Sequence, residues 1–89
     1  MKKVYIVVEC YSIENCSLDP NILGVFEKFE DAKQFFDKEI DTWRGCLSEN
    51  YEDDILEVNY VDGTRFIYEC TDFDTDEHRI MKLTWNYVL

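Results

Sequence analysis

The stretch Ile22-Leu23-Gly24-Val25-Phe26-Glu27-Lys28-Phe29-Glu30-Asp31-Ala32-Lys33-Gln34-Phe35-Phe36 changes its periodicity half-way along. Residues 22–26 read as a short buried strand, in which Gly24 lets backbone or a bulky neighbour approach closely. From residues 28–30 onward the apolar positions fall at helical spacing. Ala32, Phe35, Phe36, Ile40 and Trp43 form one stripe, with Lys33, Asp37, Asp41 and Arg44 on the opposite side. Glu30 and Asp31 sit in the first turn, where carboxylates suit the helix dipole, and Gly45 can end the helix. No Ser, Thr, Asp or Asn stands at the N-cap, so propensity and packing must start the helix. Glu39 lies seven positions after Ala32, on the border of the stripe. It is expected to reach solvent or, if partly buried, to pair with Arg65 or Lys82.

Working outward, Val4 to Tyr11 reads as a strand with apolar residues on both faces, hence a central one. Ser12 to Asn21 reads as a loop closed by Asp19-Pro20-Asn21, which leaves residues 22–26 antiparallel to the first strand. Downstream, 48–54 is an acidic connection. Ile55–Val61 and Thr64–Cys70 alternate on either side of Asp62-Gly63, the signature of a two-residue type I′ hairpin. That turn sets Val61 opposite Thr64, Asn59 opposite Phe66 and Val58 opposite Ile67. Leu56, Val58, Tyr60 and Ile67 then form the expected core face. Ile55, Val61, Phe66 and Tyr68 share the other with Glu57, Asn59 and Thr64. A second acidic turn, 71–78, leads to a last strand, 79–89, whose Met81, Leu83, Trp85 and Tyr87 alternate against Lys82, Thr84 and Asn86. The predicted fold is α+β, a single domain over residues 1–89. It is an antiparallel sheet in the order ββαβββ with the helix packed on one face. Phe36, Ile40 and Trp43 are expected to meet Val58, Ile67, Leu83 and Trp85.

The 89 residues are 46% hydrophobic and 16% aromatic, enough to supply one core and to argue against disorder. No apolar run approaches the ~20 residues that span a bilayer. The run after Met1-Lys2-Lys3 stops at Glu9, short of the ~7–15 residues of a signal core, so a cytoplasmic protein is expected. Cys10 and Cys70 sit in strands like ordinary apolar residues, and neither they nor Cys16 and Cys46 make a Cys-x-x-Cys pair. Reduced structural thiols are therefore expected ahead of disulfides or zinc.

Chemistry points away from an enzyme and from any cofactor. His78 is the only histidine and has no positional link to a nucleophile; three isolated glycines make no phosphate loop. Asp72-Phe73-Asp74-Thr75-Asp76 imitates the start of a calcium loop. It carries glutamate where that loop needs glycine, and Leu83 where it needs a bidentate glutamate. The net charge of -11, from 20 acidic and 9 basic groups, opposes direct contact with nucleic acid or an anionic membrane. It favours a basic protein. Two features could carry such binding. One is the pair of acidic clusters, Glu49, Glu52, Asp53 and Asp54, and Asp72, Asp74, Asp76 and Glu77. These could present carboxylates as a duplex presents phosphates. The other is the mixed hairpin face at Phe66 and Tyr68.

The Lys-Lys-Val-Tyr-Ile-Val-Val opening at 2–8 and the Gly-Val-Phe-x-x-Phe-Glu-Asp-Ala-Lys-x-Phe run at 24–35 resemble small uncharacterised proteins of Firmicute-type bacteria, their phages and mobile elements. There, too, a short strand runs straight into a helix. In size and acidity the chain also resembles anti-CRISPR proteins, several of which are acidic decoys for nucleic acid. The resemblance implies a non-enzymatic inhibitor or adaptor that occupies the basic surface of a nucleic-acid-processing enzyme. The alternative expectation is a small self-associating protein, a homodimer through the mixed aromatic face.

Overall fold

The computed structural model describes residues 2–13, 16–17, 20–61 and 63–88. The elements are β1 (Lys2–Ile13), β2 (Cys16–Ser17), β3 (Asn21–Phe26), α1 (Phe29–Arg44), β4 (Tyr51–Tyr60), β5 (Gly63–Asp72) and β6 (Glu77–Val88). All pairings are antiparallel, in one sheet ordered β2-β1-β6-β5-β4; β3 shares with β2 the edge of β1 that β6 leaves open. The expected α+β architecture is present, with the helix on one face. The departures are the two-residue β2, inside what the sequence suggested was loop, and β4, which begins at Tyr51 within the expected acidic connection.

The strand-to-helix stretch behaves as its periodicity predicts. β3 runs against β1 with Tyr5 opposite Phe26 and Val7 opposite Gly24, and a bulge at Val7/Val8 then sets Ile22 opposite Val8. The bulge re-aims one residue, so that Leu23 packs towards the core while Ile22 and Val25 point outward. Gly24 is required by its neighbour. A Cβ there would stand 2.7 Å from Cε2 of Phe26, whose ring packs against Phe35 at 5.2 Å between centroids. Helix α1 starts after Lys28, which makes no side-chain cap, and carries Glu30 and Asp31 in its first turn and Arg44 in its last. Ala32, Phe36 and Ile40 are buried, as the stripe requires.

The core is Val7, Ala32, Phe36, Ile40, Tyr68, Cys70, Met81 and Leu83, with Tyr5, Phe26, Phe29, Phe35, Trp43 and Phe66 packed round it. This overturns the expected face of the β4–β5 hairpin. Tyr68 pairs with Met81 and Phe66 with Leu83, so those aromatics share the helix side of β6's buried row. Leu56 and Tyr60, expected in the core, are exposed, and Val58 and Ile67 are only half-buried. β4 is an edge strand and β5 an inner one, so the aromatics of β5 decide which face the helix covers. The hairpin register also differs. Tyr60 pairs with Gly63 and Asn59 with Thr64, which brings Val61 into the turn and takes Gly63 out of it. Gly63, with φ of +145°, opens β5 instead of closing the turn. Position 62 lies outside the described residues.

Glu39 is half-buried beside neither Arg65 nor Lys82. Its carboxylate lies 3.6 Å from Nη2 of Arg79, on the helix side of the sheet. Cys10 and Cys46 are exposed free thiols and Cys70 a buried one; the side chain of Cys16 lies outside the described residues. Among the described residues no helix is long and apolar enough to cross a membrane.

Two outcomes follow. Phe36→Ala removes a fully buried ring and should cost about 3–5 kcal/mol in denaturant unfolding, whereas Leu56→Ala on the exposed face should cost under about 1 kcal/mol. Equal losses would place the core elsewhere. In the native protein Cys10 and Cys46 should react quickly with a thiol reagent and Cys70 only on unfolding. Denaturation without reductant should expose four reactive thiols.

Candidate functional site

The two acidic clusters meet at one end of the sheet. β4 begins where β5 ends, with Tyr51 opposite Asp72 and Glu52 opposite Thr71. The Phe73 N–H donates to the Asn50 carbonyl at 2.9 Å, and Asn50 Nδ2 donates to Asp74 Oδ1 at 3.3 Å. Residues 24 apart in sequence are thereby fixed side by side.

The acids divide by what their oxygens touch. Asp72 is 2% exposed and faces inward. It accepts from Ser48 N at 2.9 Å, Ser48 Oγ at 2.6 Å and Asp74 N at 3.1 Å. These donors, the Ser48 hydroxyl first, hold its carboxyl below the usual range. Asp53 accepts from Arg44 Nε at 2.6 Å and from the Tyr68 hydroxyl at 3.1 Å. Burial above all, with the Cys70 thiol and the Asp53 carboxylate beside it, pushes the Tyr68 phenol well above its ordinary value. Glu77 is half-buried beside Tyr11, whose phenol is pushed up to about 12 by burial and by its hydrogen bond to Glu77. Asp72, Asp53 and Glu77 were expected to face a partner. They instead tie the post-helix loop, the helix C-terminus and the sheet to one another.

Glu49, Glu52, Asp54, Asp74 and Asp76 are exposed, and among the described residues none forms an ion pair with a Lys or Arg. Glu69, opposite Asp54 across the hairpin, reaches the same end, with His78 Nε2 3.6 Å from its carboxylate. Sequence reading missed Glu69, because only the strand register brings it to this end. Tyr51, Glu52, Asp53, Asp54, Glu69 and Thr71 line an open concavity of about 720 Å³. Asp76 has φ of +56°, the left-handed region that Asp and Asn tolerate, and so closes the β5–β6 turn with its carboxylate outward.

Phe66 and Tyr68 do not belong to this surface. Tyr68 is fully buried, and Phe66 packs against Phe29 and Phe36 at 6.2 and 6.3 Å. A second recess, about 390 Å³, is lined by Glu9, Tyr11, Glu39, Thr42, Trp43, Cys46 and Arg79. Its charges are paired from within, while among the described residues the buried Trp43 Nε1 has no hydrogen-bond partner. The Arg79 guanidinium donates to Glu9 at 2.7 Å through Nε and lies 4.8 Å over the Trp43 ring. What the acidic end can do chemically is attract and hold cationic groups.

No protein-family model, no curated protein and no solved structure matches the chain.

Asp72 generates a pH prediction. Its folded-state pKa lies below the unfolded one, so its stabilisation is complete above the unfolded value of about 3.9 and is lost as pH falls through the folded value. Asp72→Asn should lower the thermal midpoint at neutral pH, and the gap to the parent should close in acid. A gap that persists undiminished at low pH would mean that shape, not charge, matters at this position.

Proposed function

We propose that the chain is a non-enzymatic acidic inhibitor or adaptor whose sheet end, bearing Glu49, Glu52, Asp54, Glu69, Asp74 and Asp76, occupies the basic nucleic-acid-binding surface of a partner protein. The likeness in size and acidity to anti-CRISPR proteins suggests an RNA-guided nuclease as that partner, and hence an anti-defence role. The observation that carries the reading is the convergence of two acidic segments on one rigid edge, where among the described residues Glu49, Glu52, Asp54, Asp74 and Asp76 form no ion pair with a Lys or Arg. Carboxylates repel one another there, and apart from the Asn50–Asp74 hydrogen bond the structural contacts are made by Asp53 and Asp72. A field of one sign at the end of an elongated molecule steers association with a cationic groove.

The test uses amides at the exposed positions only. Glu49→Gln, Glu52→Gln and Asp54→Asn together, or Asp74→Asn with Asp76→Asn, should leave the thermal midpoint level or slightly raised. Asp76→Asn suits the left-handed backbone, so it adds no strain. Each variant should displace labelled duplex from an RNA-guided nuclease more slowly than the parent, and the parent's own effect should weaken steeply with salt. Displacement by the amide variants at the parent's rate would remove the acidic end from the mechanism.

A further inference from the structure

The sheet has a second face that no described element covers. It carries Val4, Ile6, Val8 and Cys10 from β1, His78, Ile80, Lys82 and Thr84 from β6, Arg65, Ile67, Glu69 and Thr71 from β5, Glu52, Asp54, Leu56 and Val58 from β4, and Ile22 and Val25 from β3. Ile22 is 63%, Val25 58% and Leu56 49% exposed, although each lies within a strand. Five strands about 4.8 Å apart, averaging about 33 Å in length with β3 the shortest, make a face of about 800 Å², which is what one partner of a stable interface buries. Its apolar residues run across all five strands between polar ones, the mixed composition of an interface.

The charges on it say what fits. Lys82 stands mid-face, between Val8 on β1 and Ile67 on β5, and forms no ion pair among the described residues. In the next row Ile80 pairs with Glu69, and Glu69 with Asp54. Arg65 and Lys82 thus lie on one half of the face, and Glu69, Asp54 and Glu52 on the other, with His78 Nε2 3.6 Å from Glu69. That arrangement complements itself under a two-fold axis.

We propose that this face binds a second copy of the chain, sheet on sheet, with the strands of the two copies antiparallel. Each Lys82 then meets the other copy's Glu69 and Asp54, and the apolar rows on either side close together. The opposite orientation would stack the two acidic ends on each other. The antiparallel one sends them to opposite ends of the pair; it covers Asp54 and Glu69 and leaves Glu49, Glu52, Asp74 and Asp76 of each copy to the basic partner proposed above. The contact is isologous, so it stops at two.

The experiment is sedimentation equilibrium of the full chain from dilute to concentrated solution. The parent should pass from monomer to dimer mass. Leu56→Lys and Val25→Lys, at exposed positions, should keep the parent's circular dichroism and raise the dimer dissociation constant tenfold or more, a loss of about 1.4 kcal/mol. The charge pair gives a sign test. Glu69→Lys lowers the net negative charge, so if overall repulsion governed association it would strengthen the dimer. The proposal requires it to weaken the dimer, as Lys82→Glu must. The exchange Lys82→Glu with Glu69→Lys should recover most of the loss. A monomer at every concentration overturns the proposal. So does a dimer indifferent to Leu56→Lys and Val25→Lys, or an exchange as weak as its single parents. The acidic-end amides at Glu49, Glu52, Asp74 and Asp76 should leave the dimer intact, so the two proposals fail independently.

Discussion

One helix of sixteen residues must cover a sheet whose longest strands have twelve. The helix is about 24 Å long and such a strand about 40 Å, so the apolar cover reaches the middle of one face and no further. Much else in the molecule answers that shortfall. At the end where the helix finishes, polar ties replace packing: Ser48 to Asp72, Arg44 and Tyr68 to Asp53, and Arg79 to Glu9. At the other end Trp85, 8% exposed, is enclosed by cations, with Lys3 Nζ 4.3 Å and the Arg65 guanidinium 5.0 Å from its ring centroid. Gly63 makes room for that indole, since a Cβ there would lie 3.1 Å from Nε1. Among the described residues no element covers the far face.

The architecture was largely legible because its signals are local. The switch of period at residues 22–36 marks β3 and α1, and the alternation of Met81, Leu83 and Trp85 marks the buried row of β6. What misled was the choice between two faces of one hairpin. From 56 to 60 the row Leu56, Val58 and Tyr60 is apolar throughout, whereas Ile55, Val61, Phe66 and Tyr68 are mixed with Glu57, Asn59 and Thr64, and the unmixed row, with Ile67, reads as the core. Position in the sheet decides otherwise. β5 sits between β6 and β4, so its Phe66, Tyr68 and Cys70 continue the buried row of β6, and the edge strand follows. That ordering is a long-range fact with no local mark. The displaced turn has a similar cause. Asp62-Gly63 is a strong two-residue signal, but Gly63 is spent on admitting Trp85, and the turn takes in Val61 instead.

At the acidic end sequence reading found the region and missed the division of labour within it. Proximity in sequence grouped Asp53 with Asp54 and Asp72 with Asp74. In a strand, however, successive residues face opposite ways, so neighbours in each group serve different purposes. Asp53 turns to Arg44 and Tyr68 while Asp54 turns out; Asp72 turns to Ser48 while Asp74 lies in the turn beyond. The exposed acids also guard an edge. β4 presents an unpaired side, and Glu52, Asp54 and Glu57 along it discourage another strand from joining there.

β1 and β6 run side by side for their whole length, from Lys2 opposite Val88 to Ile13 opposite Glu77. A force applied at Lys2 and Val88 therefore pulls across this ladder and not along it. The hydrogen bonds load one after another, as in a zipper, and the molecule should part at low force although its core is continuous. A force applied between Lys2 and Glu77 would load the same bonds together in shear. The protein should thus be soft when drawn from its paired ends and stiff when drawn lengthwise.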